Sequence, residues 1–482
     1  MTSIDALEPN ILWLYFDDLT RIPRPSKKEE KIIAYLQSFA NIHQLECVVD
    51  RAGNILIRKP ATLGMENRQK VILQAHLDMV CEKNADIVHN FETDAISTYI
   101  DGDWVKARGT TLGADNGIGV AVQLAVLASK DISHGAIECL FTVDEETGLT
   151  GAFALEKDFL QGTVLLNLDS EEEGEFCIGC AGGIDTVASF EYVVEKAPES
   201  YFFFSVEVQG LKGGHSGEDI NKGRANANKL LAEYLQRLTK NSDVRIAFIE
   251  GGNLRNAIPR EARAIVAVPM SEKEQVRVEI NHYIAEIEER YVGVETSFRA
   301  NLESTDSRDL VITKKVADAL IFALNQCPHG VIAMSKDVVG LVETSSNLAS
   351  VKMLTDKIVV ATSQRSAVDE SKKQTAKQVA DIFSSVGAVV SHSDGYPGWK
   401  PRLNSPITQI AVSAYERLFG VAPKLKAIHA GLECGLFLEK YPHLDMVSFG
   451  PTIIGAHSPD ERVSISSTRR FWLLLLEILK SV

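Results

Sequence analysis

The chain has 482 residues, a length that suggests roughly two to four domains and a sizeable core. Apolar residues make up 45% and charged residues 24%, values of an ordinary globular protein and not of a disordered or fibrous one. Lysine and arginine number 50 against 65 acidic residues, and the resulting net charge of -15 argues against nucleic acid or an anionic membrane as a partner.

Seven scattered cysteines, an odd number, form no disulfide framework and fit a reducing compartment. The opening segment MTSIDALEPN shows no basic region, apolar stretch and cleavage site in succession, so a cytoplasmic protein is expected. Residues 10–39 carry apolar positions at helical spacing on both sides of a break at 23–26, and short strands follow at 46–49 and 54–58. Strand runs at 70–75, 138–143 and 163–168 alternate with a helix over 117–129, which predicts parallel-type strands covered by helices. In such a sheet the ligand crevice lies beyond the carboxyl ends of the strands. From about residue 189 the texture changes. A strand at 202–208, a helix at 225–238, strands at 244–250 and 262–268, a helix at 272–291 and a strand at 296–301 make a β-α-β-β-α-β series. A helix-strand-strand-helix-strand series then runs from 310 to 392. Asn253 in GGNLRNAIP and Asn347 in SSNLASV precede a strand at equal distance, which an internal duplication predicts. YPGWKP reads as a linker, followed by a helix at 410–418, a strand at 446–449 and a final helix. That helix holds FWLLLLEIL, too short and too interrupted to span a bilayer. The expected organisation is an α/β catalytic domain of residues 1–187 and 396–482, interrupted by an α+β domain of residues 188–395.

Ligand-type residues recur just past the apolar strands. VILQAHLD places His76 and Asp78 there, LFTVDEETG places Glu145 and Glu146, VLLNLDSEEEG places Asp169, and FGPTIIGAHSPDE places His457; LGADNGIG sets Asp115 at the mouth of a helix. Imidazole and carboxylate together suit zinc or a similar divalent ion, with no thiolate needed. Singly, each residue has an ordinary reading. His76 or His457 can be a core or surface histidine, Asp115 a helix N-cap, and Glu145, Glu146 and the acidic run at 171–173 solvated turns. Their recurrence after strand after strand points instead to one crevice. Cys177 and Cys180 have CxxC spacing but no second such pair, and read as structural. Gly117 and Gly119 lack the strand-GxGxxG-helix context of a dinucleotide site.

The same residues resemble the di-zinc aminopeptidase, carboxypeptidase and dipeptidase superfamily. More narrowly, TTLGADNGIGVA, GLKGGHSGEDINKGRANANKLL, VETSSNLASV, AIHAGLECGLF and GPTIIGAHSPDERV resemble the bacterial aminoacyl-histidine dipeptidases, over nearly the whole chain. The resemblance implies a mixed, helix-covered catalytic sheet interrupted by a lid domain of two related halves. It implies two zinc ions per chain, with Co2+ or Mn2+ as substitutes. Asp115 would bridge them, His76 and Asp169 would complete one site, and Glu146 and His457 the other. It further implies Glu145 as general base, Asp78 as the residue that orients His76, and a cis peptide between Asp115 and Asn116. From the lid it implies His215 as oxyanion stabiliser and Asn256 and Arg365 as substrate anchors, with Gly431 and Gly435 letting backbone approach the substrate's carboxy end. Apart from the resemblance, His215 reads as a turn histidine, Arg365 as a partner near the start of the helix after Ser366, and the two glycines as a tight turn. The implied activity is hydrolysis of dipeptides, favouring Xaa-His and including β-Ala-His, by a cytoplasmic homodimer. A tripeptidase, aminoacylase or deacetylase of the same superfamily is one alternative, and a non-catalytic peptide- or partner-binding protein on the same fold is another.

Overall fold

The computed structural model describes residues 3–336 and 338–482. The chain divides into two compact units: Met1–Gly179 with Pro401–Ala427 and Leu432–Val482, and Cys180–Lys400 with Ile428–Gly431.

The first unit is built on an eight-stranded sheet. Its spatial order is Glu46–Val49, Ile55–Lys59, Ile137–Thr142, Val71–His76, Val164–Asn167, Asp445–Ser448, Glu175–Cys180 and Lys424–Ile428. Four neighbours in the middle, Ile137–Thr142 through Asp445–Ser448, run parallel, while Ile55–Lys59 joins them antiparallel. Every residue of Val71–His76 and Ile137–Thr142 is buried, which is why these segments read as continuous apolar runs and do not alternate. Val71, Leu73, Ala75, Cys139, Phe141 and Leu166 share one core with residues of three helices. These are Trp13 and Phe16 of Asn10–Thr20, Val120 and Leu124 of Ala114–Ala128, and Leu475 and Ile478 of Ile465–Ser481. The helix Pro406–Phe419 begins behind a Ser405 cap with proline in its first turn and ends at Gly420, whose φ of 71° suits a residue without a side chain. Sequence patterning missed the strand Glu175–Cys180 and the small four-stranded sheet that holds Thr98–Asp101 and Trp104–Ala107. Cys177 and Cys180 are buried in the first of these.

The second unit carries an antiparallel nine-stranded sheet. The order is Arg299–Ser304, Tyr201–Gln209, Ala262–Pro269, Arg245–Gly251, Val342–Met353, Lys357–Ser366, Gly182–Glu191 and Val389–His392, and Gly330–Met334 pairs with Val342–Met353 off this path. The order is symmetrical about its middle. Gly182–Glu191 lies between Lys357–Ser366 and Val389–His392 as Tyr201–Gln209 lies between Ala262–Pro269 and Arg299–Ser304. Each half brings two helices, Ala227–Thr239 and Lys273–Arg290 or Lys314–Gln326 and Asp369–Ser385, and Tyr234, Tyr283, Leu320 and Phe383 of these helices meet in one core. Two related halves are what the Asn253 and Asn347 echo predicts.

Patterning placed the domain breaks at 187/188 and 395/396, whereas the compact units part at 179/180 and 400/401. Gly182–Glu191 is one strand, bonded along its whole length to Lys357–Ser366, so a break inside it would divide a sheet ladder. YPGWKP is no loose linker either. Tyr396 and Trp399 pair their main chains with Gly183 and Cys180, and the Trp399 side chain is buried.

Candidate active site

Parallel strands that lie side by side end on one edge of their sheet, and four of them deliver candidate ligands. His76 is the last residue of Val71–His76, Glu145 and Glu146 open the short helix beyond Ile137–Thr142, Asp169 follows Val164–Asn167, and His457 follows Asp445–Ser448 across a loop. Asp115 comes from the first turn of Ala114–Ala128, where it and Asn116 leave helical dihedrals, and the peptide joining them is cis. His76 Nε2 lies 3.1 Å from Asp115 Oδ1 and 3.3 Å from Asp169 Oδ1. His457 Nε2 lies 3.1 Å from Asp115 Oδ2 and 3.0 Å from Glu146 Oε2. Asp115 therefore turns one oxygen to each of two imidazole-carboxylate sets. His76 is 1% exposed and His457 53%, so the cluster opens to solvent on the His457 side.

These residues fit a divalent cation. Ligand atoms of His76, Asp115 and Glu146 lie within 4.8 Å of one another. Glu146 Oε1 is buried with no hydrogen-bond partner, an expensive position for a carboxylate oxygen that a cation would relieve. The local fields agree. Burial opposes charge on His76, but Asp169, Asp115 and Asp78 outweigh it and hold the imidazole well above its ordinary range. Hydrogen bonds that the His457 ring donates to Asp115 and Glu146 raise its pKa to about 11. Burial lifts Asp169 to about 6 against the pull of His76. An anionic cluster that draws protons onto imidazoles is one in which a cation competes well for the same lone pairs.

Asp78 supports the cluster from behind. Its buried carboxylate accepts the main-chain N–H groups of Glu145 at 3.0 Å and Glu146 at 3.2 Å and the Ser26 hydroxyl at 2.7 Å. One oxygen lies 3.5 Å from His76 Nδ1. Burial works against its charge, yet His76 and these donors bring it down to about 2. Asp144, at φ 50°, shapes the turn by accepting the hydroxyls of Thr147 and Thr150. Burial pushes the Glu145 carboxyl well above its usual range, and Asp169, Glu433 and Glu146 add to the shift against His76. A carboxylate whose pKa is raised is a stronger proton acceptor than an exposed one. The Asn116 side chain donates to Asp169 Oδ1.

Several functional neighbours escaped the sequence reading. The acidic run at 171–173 is a turn as expected, but only Glu172 in it is exposed. Burial, with Asp115 and Asp169, pushes Glu171 to about 8, and Glu173 accepts from the Tyr415 hydroxyl and Arg470. Arg24, Glu433 and Glu461 are buried ionisable side chains. Glu433 accepts from Gln74 Nε2 at 2.6 Å and the Thr142 hydroxyl at 2.9 Å. Glu461 accepts the main-chain N–H groups of Leu112, Gly113, Ala114 and Asp115 at 2.7, 2.9, 2.7 and 3.2 Å. Arg24 donates to the carbonyls of Leu77 at 2.9 Å and Asp78 at 3.2 Å and to that of Gly113. Glu433 and Glu461 lie inside AIHAGLECGLF and GPTIIGAHSPDERV, but no local pattern marks them, because their partners are distant in sequence.

Of the other anticipated residues, all but Gly435 lie in the second unit. His215 pairs with Ala257 in a short antiparallel bridge. Its N–H donates to Asp219 Oδ2 at 2.8 Å and its Nδ1 accepts the Glu218 N–H at 3.2 Å, so in the neutral ring Nε2 carries the proton. Burial and then Arg365 keep that ring below its ordinary pKa. Asn256 is exposed, and its carbonyl accepts the Ser216 N–H at 2.8 Å beside His215. Arg365 is buried. Its Nη1 donates to the Tyr396 hydroxyl at 3.0 Å and its Nε has no partner, while Asp369 pairs with Lys372 and not with Arg365. A Cβ on Gly431 would meet the Tyr396 ring at 2.9 Å, so the missing side chain makes room for the tyrosine that holds Arg365. Gly435 is buried inside the helix Glu433–Lys440 and is not a turn. His429, unmarked in the sequence, sets Nε2 2.7 Å from the Ser345 hydroxyl.

Residues 72–481 match the model of peptidase family M20/M25/M40. The chain belongs to that family. Its class, a peptidase and so a hydrolase, is the expected one. The cytosol non-specific dipeptidase of Escherichia coli (strain K12) is 45% identical over 482 residues, 100% of this chain and 99% of that protein. The crystal structure of aminoacylhistidine dipeptidase from Vibrio alginolyticus is also 45% identical, with a TM-score of 0.94 over 100% of this chain and 98% of that one. A tripeptidase from Staphylococcus aureus, 17% identical with a TM-score of 0.57 over 98% of both chains, shares the fold. Among the described residues no helix is long and apolar enough to cross a membrane.

Proposed function

We propose that this M20/M25/M40 chain is a cytoplasmic dipeptidase that uses two divalent ions, zinc in the first instance, with Co2+ or Mn2+ able to substitute. The observation that carries the reading is Asp115, one carboxylate oxygen beside His76 and the other beside His457. His76 and Asp169 would hold one ion, Glu146 and His457 the other, and Asp115 both. When bound, such ions polarise a scissile carbonyl and ease the ionisation of water.

The chain's own groups supply the proton traffic and the orientation. Glu145 takes a proton from the attacking water and returns it to the leaving amine, a role that its raised pKa supports. Asp78 holds the His76 ring and, through two main-chain N–H groups, the turn that presents Glu145 and Glu146. In this reading the unit built on Cys180–Lys400 acts as a lid for the unit that carries the metal cluster. His215 donates from Nε2 to the oxyanion that forms at the substrate carbonyl. Arg365, steadied by Tyr396, clamps the free carboxylate with parallel hydrogen bonds, Asn256 is a second anchor, and Gly431 and Gly435 admit the carboxy end. The names of the two 45%-identical relatives support dipeptides as substrates, one stressing Xaa-His and the other a broad range, and the name of the Escherichia coli protein supports the cytosol. A homodimer, which the family resemblance implies, is checked by sedimentation equilibrium.

The test is metal content together with hydrolysis of β-Ala-His, Leu-His, a tripeptide and an N-acetyl amino acid, before and after chelation and zinc return. About two metals per chain with chelator-sensitive, restorable dipeptide cleavage is the expected result. A metal-loaded chain that cleaves neither dipeptide overturns the reading. Glu145→Gln should cut turnover by about 10²- to 10⁴-fold and leave metal content unchanged.

A further inference from the structure

We propose that Glu461 and Arg24, neither a metal ligand nor a substrate contact, form a positioning frame that shapes the Asp115 loop before any metal binds. The inference rests on the reading of His76, Asp115 and His457 as metal ligands. Both side chains are 2% exposed, and both spend their charge on main-chain groups of ligand-bearing segments. Four successive N–H groups, Leu112 to Asp115, converge on the Glu461 carboxylate, so the loop is wrapped around an anion that the chain itself provides. Glu461 also lies just past His457 in the same segment, which ties the Asp115 loop to the segment of a second ligand.

Arg24 closes the frame from the other side. Its guanidinium binds the carbonyls of Leu77 and Asp78, just beyond His76, and the carbonyl of Gly113, just before Asp115. Charge-assisted bonds of this kind are about twice as strong as neutral ones, and a planar fork of donors suits three carbonyls in a way that a lysine does not. The glycines of LGADNG fit this account. A Cβ on Gly113 would meet Arg24 Nη2 at 2.6 Å, one on Gly117 would meet it at 2.7 Å, and Gly113 also has φ 71°. Both positions lack a side chain because a buried arginine passes there. Four N–H bonds to Glu461 and three carbonyl bonds to Arg24 thus tie together three ligand-bearing segments through the chain's own groups.

The test is hydrogen–deuterium exchange of amides 112–115 in the full, metal-free chain, compared with the zinc-loaded chain. Slow exchange in both states is expected. Fast exchange without zinc that becomes slow only on loading would show that the metal shapes the loop, and overturns the proposal. Glu461→Gln keeps the size of the side chain but sets an amide N–H2 against main-chain donors. In the folded, metal-free variant, zinc affinity by calorimetry should fall about 10- to 100-fold, with kcat for β-Ala-His reduced and KM little changed. Arg24→Lys should show the same split, and Glu461→Asp, which restores the carboxylate, should recover part of the affinity. A folded Glu461→Gln chain with parental zinc affinity and kcat also overturns the proposal. Should that variant fail to fold, exchange in the unaltered chain decides alone. If the unaltered chain binds no zinc and cleaves no dipeptide, the functional reading fails, while the exchange pattern still decides for or against the frame.

Discussion

Asp78 serves two neighbours with one carboxylate, facing the His76 ring and accepting the N–H groups that begin the Glu145–Gly148 turn. Asp78→Asn places an amide donor among those donors and removes the charge behind the imidazole. Zinc affinity should fall about 10- to 100-fold in calorimetric titration, with the fold intact by circular dichroism. Glu433 supplies a pH signature of its own. Burial, with Asp169 adding to it and His76 opposing, pushes its carboxyl to about 8. Because the folded value lies above the unfolded one, the native chain keeps a proton that the unfolded chain releases. That contribution to stability is complete below about pH 4.5 and is lost as pH rises toward about 8. Glu433→Gln keeps an acceptor for Gln74 and Thr142 and cannot ionise. Its Tm should gain on the parent's between about pH 5 and 8 in paired metal-free melts, and parallel curves would refute the assignment.

At the scale of elements, the strand ends are where the sequence was most readable. Val71–His76, Ile137–Thr142 and Val164–Asn167 are apolar runs, and the residues just past them are the acids and imidazoles of the cluster. The Glu175–Cys180 strand was harder to see because it opens on a glutamate and carries two cysteines and a glycine in place of a branched apolar run. YPGWKP misled for a related reason. Glycine and proline signal a turn, but Tyr396 and Trp399 are held by main-chain pairing with residues that the local window does not contain. The Tyr396 ring also yields a test of the substrate end. Gly431→Ala drives a Cβ into it, and Tyr396→Phe removes the hydroxyl that steadies Arg365. Each should raise KM for a dipeptide with a free carboxylate by about tenfold, the order of one charge-assisted hydrogen bond, with kcat largely kept. Steady-state kinetics on the carboxylate and its carboxamide analogue check this, since the carboxamide should respond little.

At the scale of the molecule, a cluster of carboxylates and imidazoles brought together by folding should couple metal binding to stability, because the unfolded chain holds no such site. The metal-free chain should melt lower than the loaded one. At free zinc about 100 times the dissociation constant the gain should be about 2.7 kcal/mol, read from melting curves across a zinc series. What the sequence alone determined is everything carried by short-range pattern: the parallel-type strands, the ligand-type residues at their ends, the two related halves, and the family through its long motifs. The tertiary structure decided which groups meet. Hydrophobic periodicity lies within a dozen residues, but the partner of a buried charge depends on strand order and loop closure. Glu461 thus finds Asp115, Arg24 finds Gly113, and Gly182–Glu191 completes a half that lies mostly beyond it in the chain.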